Sequence, residues 1–191
     1  MMTKFNRELA DFFKALYAGE ERPLVFGDGK PGAKLMLIGE APGAQEVLSG
    51  RPFTGKAGKN LDTFLEMSGF KRADLYISNV VKFRPVKISA KNTVSNRAPT
   101  REEVALFQPW LLREIELINP LLIVTLGNTP LQALMGKAIT IGQVHGQVLE
   151  LPGDRSIFAL YHPASVIYNP SLTAVYRDDV LKLGIWREAN L

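Results

Sequence analysis

The stretch AKLMLIGEAPG, residues 33–43, decides the fold. Its apolar run, Leu35 to Ile38, is continuous rather than alternating, bounded by glycines, and short. That pattern predicts a strand buried on both faces, as in a parallel sheet covered by helices. The loop after it has an unusual composition. Residues 39–58, GEAPGAQEVLSGRPFTGKAG, hold five glycines, two prolines, one phenylalanine and two glutamates six residues apart.

Working outward, the same pattern recurs. LYISNVV (75–81) is a second strand rich in β-branched residues, and LLIVTLG (121–127) a third. Residues 143–160 predict a hairpin around PGD, whose second arm, SIFALYHP, is the fourth core strand. Helices are predicted between and around the strands. Thr3–Tyr17 carries apolar residues at helical spacing, with Gly19 as a stop, and 59–68 is followed by Gly69. Thr100 and Glu103 form a capping box opening a helix to Ile118, which Pro109 should kink or split. TPLQALMG gives a short helix, and 171–188 a long one. Strands alternating with helices predict an α/β fold: a three-layer α/β/α sandwich around a four-stranded parallel sheet, in one domain over 1–191.

Length and composition agree. The chain has 191 residues, 46% hydrophobic and 22% charged, with no transmembrane-length run and no secretory signal, so a soluble cytoplasmic monomer is expected. With no cysteine, disulfides and thiolate metal sites are excluded, and no metal or cofactor is expected. A net charge of +4 favours an anionic partner.

In open parallel sheets, ligands bind beyond the carboxyl ends of the strands. The four predicted strands end in GEAPG, SNVVK, TLGNT and YHPAS. Phe53 lies off any periodic apolar face and is either a satellite core residue or a platform for a planar ligand. Asn79 offers a donor and an acceptor, which suits a nucleobase edge as well as a turn. His162 ends the last strand. His145, the second of two histidines, falls in the hairpin and reads as an exposed turn residue. Glu40 directly follows a buried strand, and Glu46 lies in the loop. The amides leading into the 59–68 helix can receive an anion. Residues 80–101 carry Lys82, Arg84, Lys87, Lys91, Arg97 and Arg101 and no acid, which suits phosphate contacts. Val166 and Ile167, in SVIY (165–168), have no obvious core partner and suit a wedge between stacked bases.

GEAPG, GRPFTGKAG, NVVKFRP, IVTLGN and YHPASVIYNP, in this order and spacing, resemble family 4 of the uracil-DNA glycosylase superfamily over almost the whole chain. The resemblance implies hydrolysis of the N-glycosidic bond of deoxyuridine in DNA, single- or double-stranded, with release of uracil. It implies that Phe53 stacks on a flipped uracil, that Asn79 reads its polar edge, and that His162 donates to its carbonyl oxygen. Gly39 and Ala41 fall in the first motif of that pocket, with Glu40 and Glu46 as candidates for handling water or the cationic sugar. Lys82, Arg84, Lys87 and Lys91, with Ser165, Val166, Ile167 and Tyr168, would contact DNA.

Departures from the family pattern are as telling. Its members usually hold an iron–sulfur cluster on four cysteines. Here EERPLVFG (20–27) lacks the first pair, and Phe83 and Phe107 replace the second. The segment between Pro85 and Pro99 is longer than usual, and Val47 stands where an acid is common. Ala41 stands where other branches place a water-activating aspartate. The covalently trapping branch has a histidine after the second strand, and none lies there. Two alternatives remain: a catalytically weak uracil- or damaged-DNA-binding module, or an unrelated nucleotide-binding α/β protein. The latter lacks a P-loop lysine pattern or dinucleotide fingerprint.

Overall fold

A computed structural model describes residues 1–20, 22–151 and 155–191. Its centre is a six-stranded sheet. The elements, in chain order, are α1 (Met2–Leu16), β1 (Asp28–Gly29), β2 (Leu35–Gly39), α2 (Ala44–Ser49), α3 (Lys56–Met67), β3 (Tyr76–Asn79), β4 (Val86–Ile88) and β5 (Val94–Asn96). They continue with α4 (Arg101–Ile118), β6 (Leu122–Leu126), α5 (Asn128–Met135), α6 (Ile141–Val144), β7 (Val148–Leu151), β8 (Arg155–Leu160), α7 (Ser165–Tyr168) and α8 (Thr173–Asn190). The sheet order is β1-β3-β2-β6-β8-β7. β3, β2, β6 and β8 run parallel, as predicted. The short edge strands β1 and β7 are antiparallel and extend this parallel core to a mixed sheet.

Residue alternation along the strands divides the core in two. Met36, Ile38, Ile123 and Ile157 face a layer containing Phe5 and Leu9 of α1, Phe107 and Leu111 of α4, and Leu131 of α5. Leu35, Leu37, Val124 and Phe158 face Leu61 and Leu65 of α3 and Tyr176, Val180 and Leu183 of α8. This is the expected three-layer sandwich.

Three expectations are corrected. The split allowed for at Pro109 does not occur: α4 is one continuous helix through it. Pro109 is exposed, so the carbonyl it leaves unpaired, on Ala105, lies on the solvent side. Phe107, Leu111 and Ile115 meanwhile anchor the opposite face. The basic stretch is not a plain loop, because β4 and β5 pair as a separate antiparallel hairpin. The hairpin predicted over 143–160 consists of β7 and β8, while its predicted turn, PGD at 152–154, lies outside the described residues. His145, expected to be an exposed turn residue, instead caps the C-terminus of α6 ahead of β7. It is half-buried, with Nδ1 2.7 Å from Asp179 Oδ2 and its ring 5.0 Å from that of Tyr161.

Candidate active site

The carboxyl ends of β2, β3, β6 and β8 bring the candidate residues together. Gly39 and Asn79 are register partners at the ends of β2 and β3. A Cβ on Gly39 would collide with Asn79 Oδ1 and with Cζ of Phe53. Only glycine therefore lets the Phe53 ring and the Asn79 amide converge over the strand end. Both side chains are buried. The Asn79 side chain forms no hydrogen bond among the described residues, so its donor and acceptor are free to meet a ligand.

Phe53 is held in a left-handed conformation, φ 54°, uncommon for a bulky residue and persistent only where its surroundings fix it. Those surroundings are visible. Arg72 donates to the Pro52 carbonyl at 2.6 Å and pairs with Asp62 at 2.9 Å. A Cβ on Gly58 would clash with the carbonyl of Phe53, so the first turn of α3 can lie against that backbone only with glycine there. Glu46, on α2, receives the amides of Thr54 (3.0 Å), Gly55 (2.8 Å) and Gly43 (3.1 Å). The amides leading into α3, expected to be open to an external anion, are thus occupied by the chain's own carboxylate.

His162 follows β8. The backbone amide of Ala164 donates to its Nδ1 at 3.1 Å. An amide can only donate, so Nδ1 is an acceptor and the neutral ring carries its proton on Nε2. Burial pushes the pKa of His162 down to about 4, against a weaker upward pull from Glu46. The imidazole is therefore an uncharged Nε2–H donor at neutral pH. Its ring centroid is 5.8 Å from that of Phe53.

His162 and Glu40 line one cavity of about 500 Å³, with Asn128, Tyr161, Ser165 and Tyr168 among its other walls. A larger cleft, about 790 Å³, lies at the amino ends of the strands, beside Lys34, Leu35 and Leu75, and contains none of these groups. Glu40 accepts a short hydrogen bond from the Thr129 hydroxyl. Thr129 was not anticipated, although it belongs to the strand-end TLGNT. Ala41 is half-buried and packs against the core.

The expected DNA-contacting residues divide. Lys87 and Lys91 are exposed on the β4–β5 hairpin, and Arg84 bonds Asn96 at its base. Arg97 ties the hairpin to α4 through Glu103 at 2.6 Å. Its guanidinium holds the Glu103 carboxyl below its ordinary range, against the opposing effect of burial. Lys82 is a correction: it is 0% exposed and paired with Glu114 at 2.6 Å, so it reaches no phosphate. Ser165–Tyr168 form the single turn α7 rather than an open loop. Val166 packs on the core, contrary to expectation, while Ile167 and Tyr168 are exposed.

A family model described as the uracil DNA glycosylase superfamily matches residues 26–189, spanning every one of these residues. The chain belongs to the uracil DNA glycosylase superfamily. It is 40% identical over 167 residues to the type-4 uracil-DNA glycosylase of Archaeoglobus fulgidus, covering 84% of this chain and 80% of the relative. It is 38% identical over 162 residues to the type-4 enzyme of Thermotoga maritima, covering 83% and 80%. The crystal structure of wild-type SMUG2 from Pedobacter heparinus shares the fold, with a TM-score of 0.58, 16% identity, and coverage of 96% of this chain and 83% of that one.

The iron–sulfur cluster implied by the resemblance to family 4 does not fit these residues. The glycosylase has no cysteine. Phe83 and Phe107 are buried, their ring centroids 5.9 Å apart and each within 6 Å of Phe13. Tyr17 packs at a tilt on Phe13, centroids 4.6 Å apart, and the Arg22 guanidinium covers Tyr17 at 4.4 Å. Aromatic rings fill the place and leave no thiolate donors.

Proposed function

We propose that this chain is a uracil-DNA glycosylase of base-excision repair, hydrolysing the bond between uracil N1 and deoxyribose C1′ in DNA. The observation that carries the reading is His162: a neutral imidazole, its Nδ1 occupied, its Nε2–H left to donate, beside Phe53 and in one cavity with Glu40.

A uracil within a duplex must leave the stack to reach this site. Phe53 supplies the face on which the flipped base stacks, and the unpaired Asn79 amide reads its polar edge. Gly39 leaves room for that ring and amide to converge, and Ala41 would follow it in the same base-binding motif. The N1–C1′ bond breaks with its electron pair going to the base, and Nε2–H of His162 donates to the carbonyl oxygen where that charge gathers. A neutral donor with a fixed tautomer needs no reorganisation at that moment. Water adds to C1′ and gives up one proton to the Glu40 carboxylate, from which it passes to the departing uracil anion, so that neutral uracil and an abasic sugar result. Glu40 is the carboxylate placed for the cationic sugar and the water, because Glu46 is committed to three backbone amides. Arg84, Lys87 and Lys91, together with Ser165 and the exposed Ile167 and Tyr168, would hold the DNA strands. The protein would act as a single-domain monomer in the cytoplasm, with no metal in the reaction.

The test is release of free uracil from a uracil-containing oligonucleotide, leaving an abasic site. Tight binding of uracil-DNA without release would instead establish the damage-binding module. Comparing U·G, U·A and single-stranded uracil fixes the preferred substrate.

A further inference from the structure

Behind the base-reading Asn79 lies a wholly buried ionic network that the reaction does not use. Lys82 and Glu114 are both 0% exposed. The three N–H groups of Lys82 all have partners at 2.6 Å: Glu114 Oε2, Ser78 Oγ and the backbone carbonyl of Asn79. Glu114, reaching in from α4, also accepts from Ser78 at 3.0 Å and from the Tyr76 hydroxyl at 3.0 Å. Burial, reinforced by the Glu114 carboxylate, pushes the Tyr76 phenol well above its ordinary range, so it remains a donor.

Burying two charges costs several kcal/mol of desolvation each, which their attraction only about offsets, so apolar residues of similar volume often serve stability as well. Stability alone is a weak reason for such a pair. Its geometry supplies a stronger one. β3 ends at Asn79, and the next two amides, of Val80 and Val81, bond the carbonyls of Gly39 and Glu40. That fixes the backbone from the β2 side. The Asn79 carbonyl, on the same peptide unit as the Val80 amide, is held by Lys82, and Lys82 is held by Glu114. The peptide unit that bears the Asn79 side chain is thereby clamped from both sides.

We infer that Lys82 and Glu114 are positioning residues for base recognition, acting through Asn79. The inference rests on the proposed function, in which Asn79 reads the base.

The experiment is a double-mutant cycle between Lys82→Met/Glu114→Gln, which removes both charges together, and Asn79→Ala. Circular dichroism confirms folding, and single-turnover uracil excision is measured at saturating DNA. The paired exchange should slow excision by about tenfold or more. In the Asn79→Ala background it should add less than about twofold, the non-additivity expected of groups acting through one another. Affinity for uracil-free duplex, and its salt slope, should not change. Multiplicative losses, a parental rate, or a reduced salt slope would each overturn the inference. Should the paired variant fail to fold, Ser78→Ala removes the hydroxyl linking the pair and leaves both charges. It should show the same dependence on Asn79, and additive loss would count equally against the idea. Uracil release by the parent protein reports separately on the proposed function. If the parent binds without releasing, the cycle is read from the preference for uracil-bearing over thymine-bearing DNA.

Discussion

A histidine depressed to about pKa 4 by burial leaves two marks on the pH response. The unfolded chain protonates the same imidazole near its ordinary value of about 6.5. Between those values the unfolded state binds more protons, so stability is complete above about pH 6.5 and falls as pH is lowered toward 4. In His162→Gln, the melting temperature should decline less steeply across that window. The reaction should show the complementary mark. Single-turnover excision should have no inflection near pH 6.5, since the donor stays neutral there. An inflection at that pH, abolished in His162→Gln, would mean that the ring works charged. His162→Ala should lower the saturated rate by roughly 100–1,000-fold with little change in DNA affinity, as for other single oxyanion donors. Glu40→Gln should lower the rate while sparing stability, because the one hydrogen-bond partner of its carboxylate among the described residues is the Thr129 hydroxyl.

Between β2 and α3, the chain is built to hold one ring in an unfavourable conformation. Glu46 closes it by joining backbone amides on both sides of Gly50. Glu46→Ala strips partners from part-buried amides, at about 1–3 kcal/mol. It should lower the melting temperature as well as the excision rate, whereas Glu40→Gln separates the two. The loop's need for glycine was legible in the sequence, but Glu46's role was not. Its partners are backbone amides up to nine residues away, which leave no signature in residue type. Lys82 was misread for a related reason. Counting charge along 80–101 treats every lysine as solvated, and the acid that buries this one lies 32 residues on, in a helix. The β4–β5 hairpin escaped because its strands have three residues each, too few for alternation to register. Its exposed Lys87 and Lys91 give it a testable role. Lys87→Ala/Lys91→Ala should weaken binding to all duplex sequences alike, and flatten log K against log salt by about 0.9 for each phosphate no longer neutralised. A sequence-selective defect with an unchanged slope would show base reading instead.

Across the whole molecule, the buried parallel core and the strand-end chemistry were legible, both written in runs of adjacent residues. How α1, the end of β3 and α4 are joined without cysteines was legible only in part: Phe83 and Phe107 stood out as replacements, but their partner Phe13 did not. The structure joins them with rings. Phe13 comes from α1, Phe83 follows β3 and Phe107 comes from α4, all buried and in mutual contact. Each ring fills space that its neighbours cannot close, so truncation leaves a cavity. Phe107→Ala and Phe83→Ala should each cost about 3–5 kcal/mol, a large fraction of the stability of an ordinary domain. Phe107→Leu, which keeps most of the volume, should cost much less. Since these rings lie on the far side of β3 from the Phe53 ring, the loss should fall on stability first. At temperatures where the variants remain folded, uracil excision should stay near the parental rate. The same packing predicts a colourless protein whose melting temperature is unmoved by iron chelators or mild oxidants. An iron–sulfur absorbance band, or a folded Phe107→Ala variant as stable as the parent, would show that something other than these rings holds the three elements together.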